Sequence, residues 1–150
     1  MVRASRRAVV AASFLLLLAT GCASGAHRSV TVLPGGRLDG LRRFYVEHQP
    51  ADGRHIESDI RDQLQELGYV ARAGEGPPPD GEFDARVSYV DRIMWDMSNY
   101  CIQLTIYIQD LASGYVVATG SSYRPSLVRK TPAGHAKLLL TDLFRGGAGE

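Results

Sequence analysis

Between Tyr100 and Gln109 the chain alternates without a break. Tyr100, Ile102, Leu104, Ile106 and Ile108 take one set of positions, and Cys101, Gln103, Thr105, Tyr107 and Gln109 take the other. Side chains of a strand point to opposite faces in turn, so this pattern demands a strand with one apolar face that must be covered. The Ile102-to-Ile108 face is predicted to meet helices. The Gln103, Thr105, Gln109 face should be wetter or meet a partner.

Neighbouring segments extend the pattern. In Ala85–Met97 the odd positions Ala85, Val87, Tyr89, Ile93, Trp95 and Met97 are apolar, with Asp91 as the interruption. That run is long for one strand, so a bend or bulge is expected near Val90–Asp91. Asp96, Ser98 and Asn99 suit a hairpin turn. Asp110–Gly114 gives the next turn, and Tyr115–Tyr123 a further strand. Earlier in the chain, Phe44–His48 and Tyr69–Ala71 read as strands, and Val30–Leu33 as a short one. The loop "GEGPPPDGE" lacks the Gly-Lys-Ser/Thr of a phosphate-binding loop and reads as a surface connector.

Two helices complete the set. Ile56, Ile60, Leu64 and Leu67 recur on one helical face, Glu57, Asp59, Asp62 and Glu66 lie mostly away from it, and Gly68 suits the stop. Thr131 is the expected N-cap of the second helix, Pro132 its first residue, and Ala136, Leu139, Leu140 and Leu143 its apolar stripe. The predicted fold is α+β, with two helices on one face of a mostly antiparallel sheet of four to five strands.

The N-terminus carries a different message. Arg3, Arg6 and Arg7 precede an uncharged run from Ala8 to Ala19, too short for a membrane span but suited to a signal-peptide core. Ala19-Thr20-Gly21-Cys22 then resembles the lipobox of bacterial lipoproteins, although Ala19 stands where that pattern favours Leu. The alternative is an ordinary secretory signal with Cys22 incidental. The lipobox resemblance implies a diacylglycerol on the Cys22 thiol and cleavage before it. Ala23, in place of an Asp, implies the outer membrane and its periplasmic face. Each buried methylene contributes about 0.8 kcal/mol, so two or three acyl chains would hold durably. The expected organisation is a signal over 1–21, an acylated, flexible tether over 22–37, one domain over 38–145 and a disordered tail over 146–150.

Cleavage would remove three of the 17 basic residues and leave 14 against 16 acidic ones. Such a balance argues against nucleic acid as a partner. Cys101 would be the one remaining thiol, and a buried position is expected for it.

The segments "LQELGY", "DARVSYVDRIMWDMSNY", "LTIYIQDLASGYVVATGSSY" and "SLVRKTP" together resemble short bacterial envelope lipoproteins, the Trp95-Asp96-Met97-x-x-Tyr100 pattern being the most specific part. The resemblance covers most of the chain after the signal and implies no activity or catalytic residue. The residues agree. His27, His48, His55 and His135 form no metal-ligand spacing, although His48 and His55 flank a turn and could meet. No Gly-x-Ser-x-Gly elbow occurs, and Ser121-Ser122 have no evident base. No catalytic residue, metal or cofactor is therefore expected.

Asp91, Trp95, Asp96, Met97 and Tyr100 form the candidate binding patch, against a favoured structural reading in which Trp95 fills the end of the core, Tyr100 pairs across the hairpin and Asp91 pairs with Arg92 or Arg129. Exposed at a hairpin tip, its apolar members would anchor a protein partner. The expected function is a non-enzymatic, lipid-anchored interaction or accessory module of the cell envelope. Its partners would be the membrane, through Cys22, and another envelope protein, a second copy included. The alternative is a glycan or small-ligand binder using Trp95, Asp96 and Tyr100. An enzyme acting on cell-wall glycan through Asp91 and Asp96 ranks last.

Overall fold

The computed structural model describes residues 25–95, 97–125 and 128–146. The signal segment, Cys22 and Asp96 lie outside the described residues. Eight elements follow in order: β1 (His27–Val32), β2 (Arg43–Glu47), α1 (Ile56–Glu66), β3 (Val70–Gly74), β4 (Ala85–Trp95), β5 (Asn99–Asp110), β6 (Val116–Tyr123) and α2 (Pro132–Arg145). No described helix is long and apolar enough to cross a membrane.

The strands form one six-stranded mixed sheet in the order β1-β6-β5-β4-β2-β3. This corrects the expected sheet of four to five mostly antiparallel strands. β1, β6, β5 and β4 are antiparallel neighbours, but β2 runs parallel to both β3 and β4. Two features produce the parallel half. The β2–α1–β3 segment is a βαβ unit, in which the helix returns the chain so that the strands share a direction. The loop between β3 and β4, read from sequence as a mere connector, then carries the chain past β2. Its Phe83 is buried and packs on Tyr45 with ring centroids 5.2 Å apart.

β2 is consequently buried on both faces. Phe44 and Val46 join the main core, and Tyr45 is covered on the other side. Three consecutive buried apolar residues are what a strand between parallel neighbours calls for. At the opposite edge, residues 27–32 pair with β6 over the whole length of β1.

Both helices lie on one face of the sheet. α1 buries Ile56, Ile60 and Leu64, and α2 buries Ala136, Leu139, Leu140 and Leu143. They meet Val87, Leu104, Ile106, Ile108 and Ala118 in one core. Each fully buried side chain of this size contributes about 1.5–3 kcal/mol before its entropy cost. Gly120 permits the approach of α2, because a Cβ there would sit 3.3 Å from Leu139 and from Val30. Thr131 caps α2 by accepting from the Gly134 N–H at 3.1 Å, and Pro132 follows it.

The core face of β5 departs from strict alternation at one point. The pairing with β4 shifts between Arg92 and Ile93, so that Gln103 faces Arg92, Cys101 faces Ile93, and Ile102 is skipped. Cys101, not Ile102, thereby joins the main core. Burial pushes its thiol up to about 11, far from a reactive thiolate. Beside it, His135 ties α2 to the sheet. Its Nε2 lies 3.3 Å from the Cys101 carbonyl and its Nδ1 3.0 Å from Ser122 Oγ. A carbonyl only accepts, so Nε2 carries the proton and Nδ1 accepts from the Ser122 hydroxyl.

Candidate functional site

Two regions carry unusual side chains. The first is the β4–β5 hairpin singled out from sequence. Its tip leaves Trp95 72% exposed and Met97 91% exposed, with Met94 also exposed at 43%. Met97 has a positive φ of 56°, which turns the chain tightly at the tip. Side chains this open are little covered by the described residues, so Trp95 does not fill the end of the core.

The other members of the predicted patch separate from the tip. Tyr100 pairs with Met94, and the Arg129 guanidinium lies over its ring at 4.2 Å from the centroid, so one face is taken. Asp91 lies opposite Leu104, four positions below Trp95, or about 13 Å along the strand. The structure therefore brings Trp95 and Met97 together and leaves Asp91 apart.

At the base of the hairpin is a cleft of about 270 Å³ lined by Ile93, Tyr100 and Pro132 together with Arg54, Arg129 and Lys130. Its charged lining is cationic among the described residues. Acid–base chemistry on a glycan requires two carboxyl groups flanking the bond, and the described lining holds none.

The second region was not assembled from sequence. It sits where β2 ends and α1 begins. His48 follows β2, Asp52 and His55 lie on the connecting turn, Glu57 is in the first turn of α1, and Tyr89 reaches in from β4. Parallel strands commonly hold their ligands beyond their carboxyl ends, and this is such an end. His48 Nδ1 lies 3.1 Å from Glu57 Oε2, and His55 Nδ1 lies 3.1 Å from Glu57 Oε1. The two imidazoles stack with centroids 5.8 Å apart. His55 holds a left-handed backbone, φ 59°, as the N-cap of α1 without providing a side-chain cap. Asp52 does that work from outside the helix. Its Oδ2 accepts from the Ile56 N–H at 2.7 Å and from the Tyr89 hydroxyl at 2.8 Å, and its Oδ1 from the Arg54 N–H at 2.7 Å. The Tyr89 hydroxyl also lies 3.2 Å from Glu57 Oε2.

These contacts set the charges. Burial opposes the ionised form of Glu57, but hydrogen bonds, that from His48 foremost, outweigh it and hold the carboxyl below its usual range. Burial likewise opposes ionised Asp52, and the Arg54 N–H, the Tyr89 hydroxyl and the Ile56 N–H reverse the balance. The hydrogen bond to Glu57 raises His48. Burial and the adjacent Asp52 raise Tyr89, so its hydroxyl stays a donor. Beside the cluster is a cleft of about 160 Å³, with Glu75 and Arg61 among its walls.

Sequence reasoning noted that His48 and His55 could meet. It missed Glu57, which was placed on the solvent side of the helix, and Tyr89, which was taken only as core. Glu57 directly follows Ile56 at the buried start of the helix, and the turn folds over it. It is 6% exposed.

No family model matches the chain, and no curated protein matches it. Among solved structures the chain is similar to PelC from Paraburkholderia phytofirmans, described as a dodecamer. The TM-score is 0.54 at 16% identity, over 79% of this chain and 97% of that one. A variant of the same PelC dodecamer in another crystal form gives a TM-score of 0.50 at 15% identity, over 79% of this chain and 93% of that one. At these identities the likeness is one of fold alone: the layered architecture described above is similar to that of the PelC chain.

Proposed function

We propose that the protein is a lipid-anchored accessory module of the bacterial envelope that works by docking rather than catalysis. Cys22 is the acylated residue, the outer membrane carries the anchor, and the folded part faces the periplasm. The β4–β5 tip is the docking element. The observation that carries the reading is the exposure of Trp95 beside Met97 and Met94. An aromatic and two methionines open to solvent on one hairpin fit the anchor of a protein interface. Acylation would confine both partners to one surface, so a modest affinity would suffice.

The partner is another envelope protein, and the first candidate is a second copy. Support comes from the fold, because the similar PelC is described as a dodecamer. The test is the mass of the native protein extracted in mild detergent, with and without Trp95→Ala and Met97→Ala. The expected result is an assembly, or a complex with an envelope protein, that the double variant loses. A monomer with no co-purifying partner would overturn the reading. Labelling with palmitate, lost in Cys22→Ala, tests the anchor separately.

A second reading is favoured by the cationic cleft at the hairpin base. Arg54, Arg129 and Lys130 around an apolar floor suit an acidic glycan fragment or another small anion. Trp95 is the sole Trp, so its fluorescence on titration with acidic cell-wall fragments reads this alternative directly.

A further inference from the structure

We propose that His48, His55 and Glu57 form a binding site for a divalent transition cation of the zinc type, with an open coordination position facing the adjoining cleft. This goes beyond the docking role and does not depend on it.

The argument begins with convergence. One ligand atom from each of the three residues can be chosen so that all lie within 4.8 Å of one another. Four-coordinate zinc with bonds of 2.0–2.2 Å sets its ligand atoms about 3.4 Å apart. Each imidazole already has a nitrogen 3.1 Å from one oxygen of Glu57, His48 at Oε2 and His55 at Oε1, so whichever oxygen ligates has one nitrogen close to that value. Closing the widest pair to that spacing requires a movement of at most about 1.4 Å, which the exposed ring of His55 can supply. Two His and one Glu with a fourth place left open is a recognised zinc donor set.

The surroundings support the same reading. A ligating carboxylate needs a group to fix its orientation, and the Tyr89 hydroxyl, its one proton shared between Glu57 Oε2 at 3.2 Å and the nearer Asp52, lies against Glu57. Tyr89 is in turn held by Asp52, so the support extends into the sheet. Asp52 and Glu75 add negative charge next to the site, against Arg61 on the cleft wall. His55 keeps a left-handed backbone that an L residue adopts at a cost, and that backbone brings its ring over His48. The cleft of about 160 Å³ gives a bound ion access to water or to a further ligand.

The test uses the detergent-extracted full protein, stripped with a chelator and titrated with zinc alone against a chromophoric competitor. The expected result is one equivalent of zinc and a rise in the thermal midpoint. His55→Gly removes a ligand and relieves the positive φ, so the variant should fold, and His48→Gln removes the second. Each should weaken zinc by at least the 10–100-fold that the loss of a mere supporting partner costs. His27→Ala, an exposed histidine on β1, should bind as the parent does. Zinc protection of His55 from acylation by diethyl pyrocarbonate, read by mass spectrometry, locates the ion without any variant. No stoichiometric zinc, or equal binding by His55→Gly, overturns the site. So does unaltered modification of His55 in the presence of zinc.

Discussion

The β4–β5 tip and the turn between β2 and α1 are opposite kinds of surface. The tip exposes apolar side chains that are little covered by the described residues. The turn buries two carboxylates and a phenol that the fold has to satisfy, with half-buried His48 against them. The tip belongs to the antiparallel part of the sheet, where a hairpin projects as far as its strands run. The turn belongs to the parallel part, where the chain must reverse through a helix and the polar groups of that reversal are enclosed. The difference teaches where stability and association reside. A group at the turn is bound up with folding, whereas one at the tip is left largely in solvent.

The strongest way to break this contrast is Asp52→Ala. The variant strips acceptors from the Ile56 N–H, the Arg54 N–H and the Tyr89 hydroxyl, and it leaves the start of α1 uncapped. Hydrogen bonds to a charged acceptor contribute about 1.5–3 kcal/mol each and do not add fully, so a loss of about 3 kcal/mol is expected. Urea denaturation reads it. A loss under about 1 kcal/mol would mean that the turn is as dispensable as the tip.

An intermediate effect is expected at His135, and its pH dependence sharpens the comparison. Burial holds this imidazole below its ordinary value. As the pH falls below about 6.5 the unfolded chain takes up a proton that the folded chain resists. The stabilising contribution is therefore complete above that pH and is lost on acidification, by up to about 1.4 kcal/mol per unit. His48 works the other way. Its folded value is raised, so its contribution is present below about 6.5 and is lost as the pH climbs through the folded value. His135→Leu should cost about 2 kcal/mol at pH 8, because Ser122 and the Cys101 carbonyl lose their partner. The gap from the parent should then narrow on acidification. Denaturation series at pH 8, 6.5 and 5 measure it, and a constant gap would exclude a neutral buried imidazole.

How much of this was legible in advance follows from what patterns encode. Alternation in β5 and the spacing of Ile56, Ile60 and Leu64 report a face, and those faces point to the core as expected. Alternation is the same read in either direction, so it was silent on β2 lying parallel to β3 and β4. The consecutive Phe44, Tyr45 and Val46 were the available sign of a strand buried on both sides. Phe83, in a loop rich in Gly and Pro, was the available sign that the crossover packs on the sheet. The bulge that exchanges Ile102 for Cys101 has no sequence mark beyond the unusual length of β4. At the sites, Trp95 could be placed on a hairpin but not inside or outside, since an indole suits both. The convergence of His48, His55 and Glu57 depends on a left-handed backbone at His55, which residue type does not announce.

The smallest effect on folding should come from the tip, and that is what makes it informative. Trp95 and Met97 have little packing to lose, so Trp95→Ala with Met97→Ala should change stability by no more than about 0.5 kcal/mol in the isolated chain. Truncating a hot-spot aromatic costs an interface 2 kcal/mol or more, which weakens association at least about thirtyfold. A variant as stable as its parent but unable to assemble places the tip in an interface. A variant that loses stability comparable to Asp52→Ala would place Trp95 in the fold after all. Measuring denaturation and assembly on the same preparation separates the two, because a fold defect moves both readings and a contact defect only one.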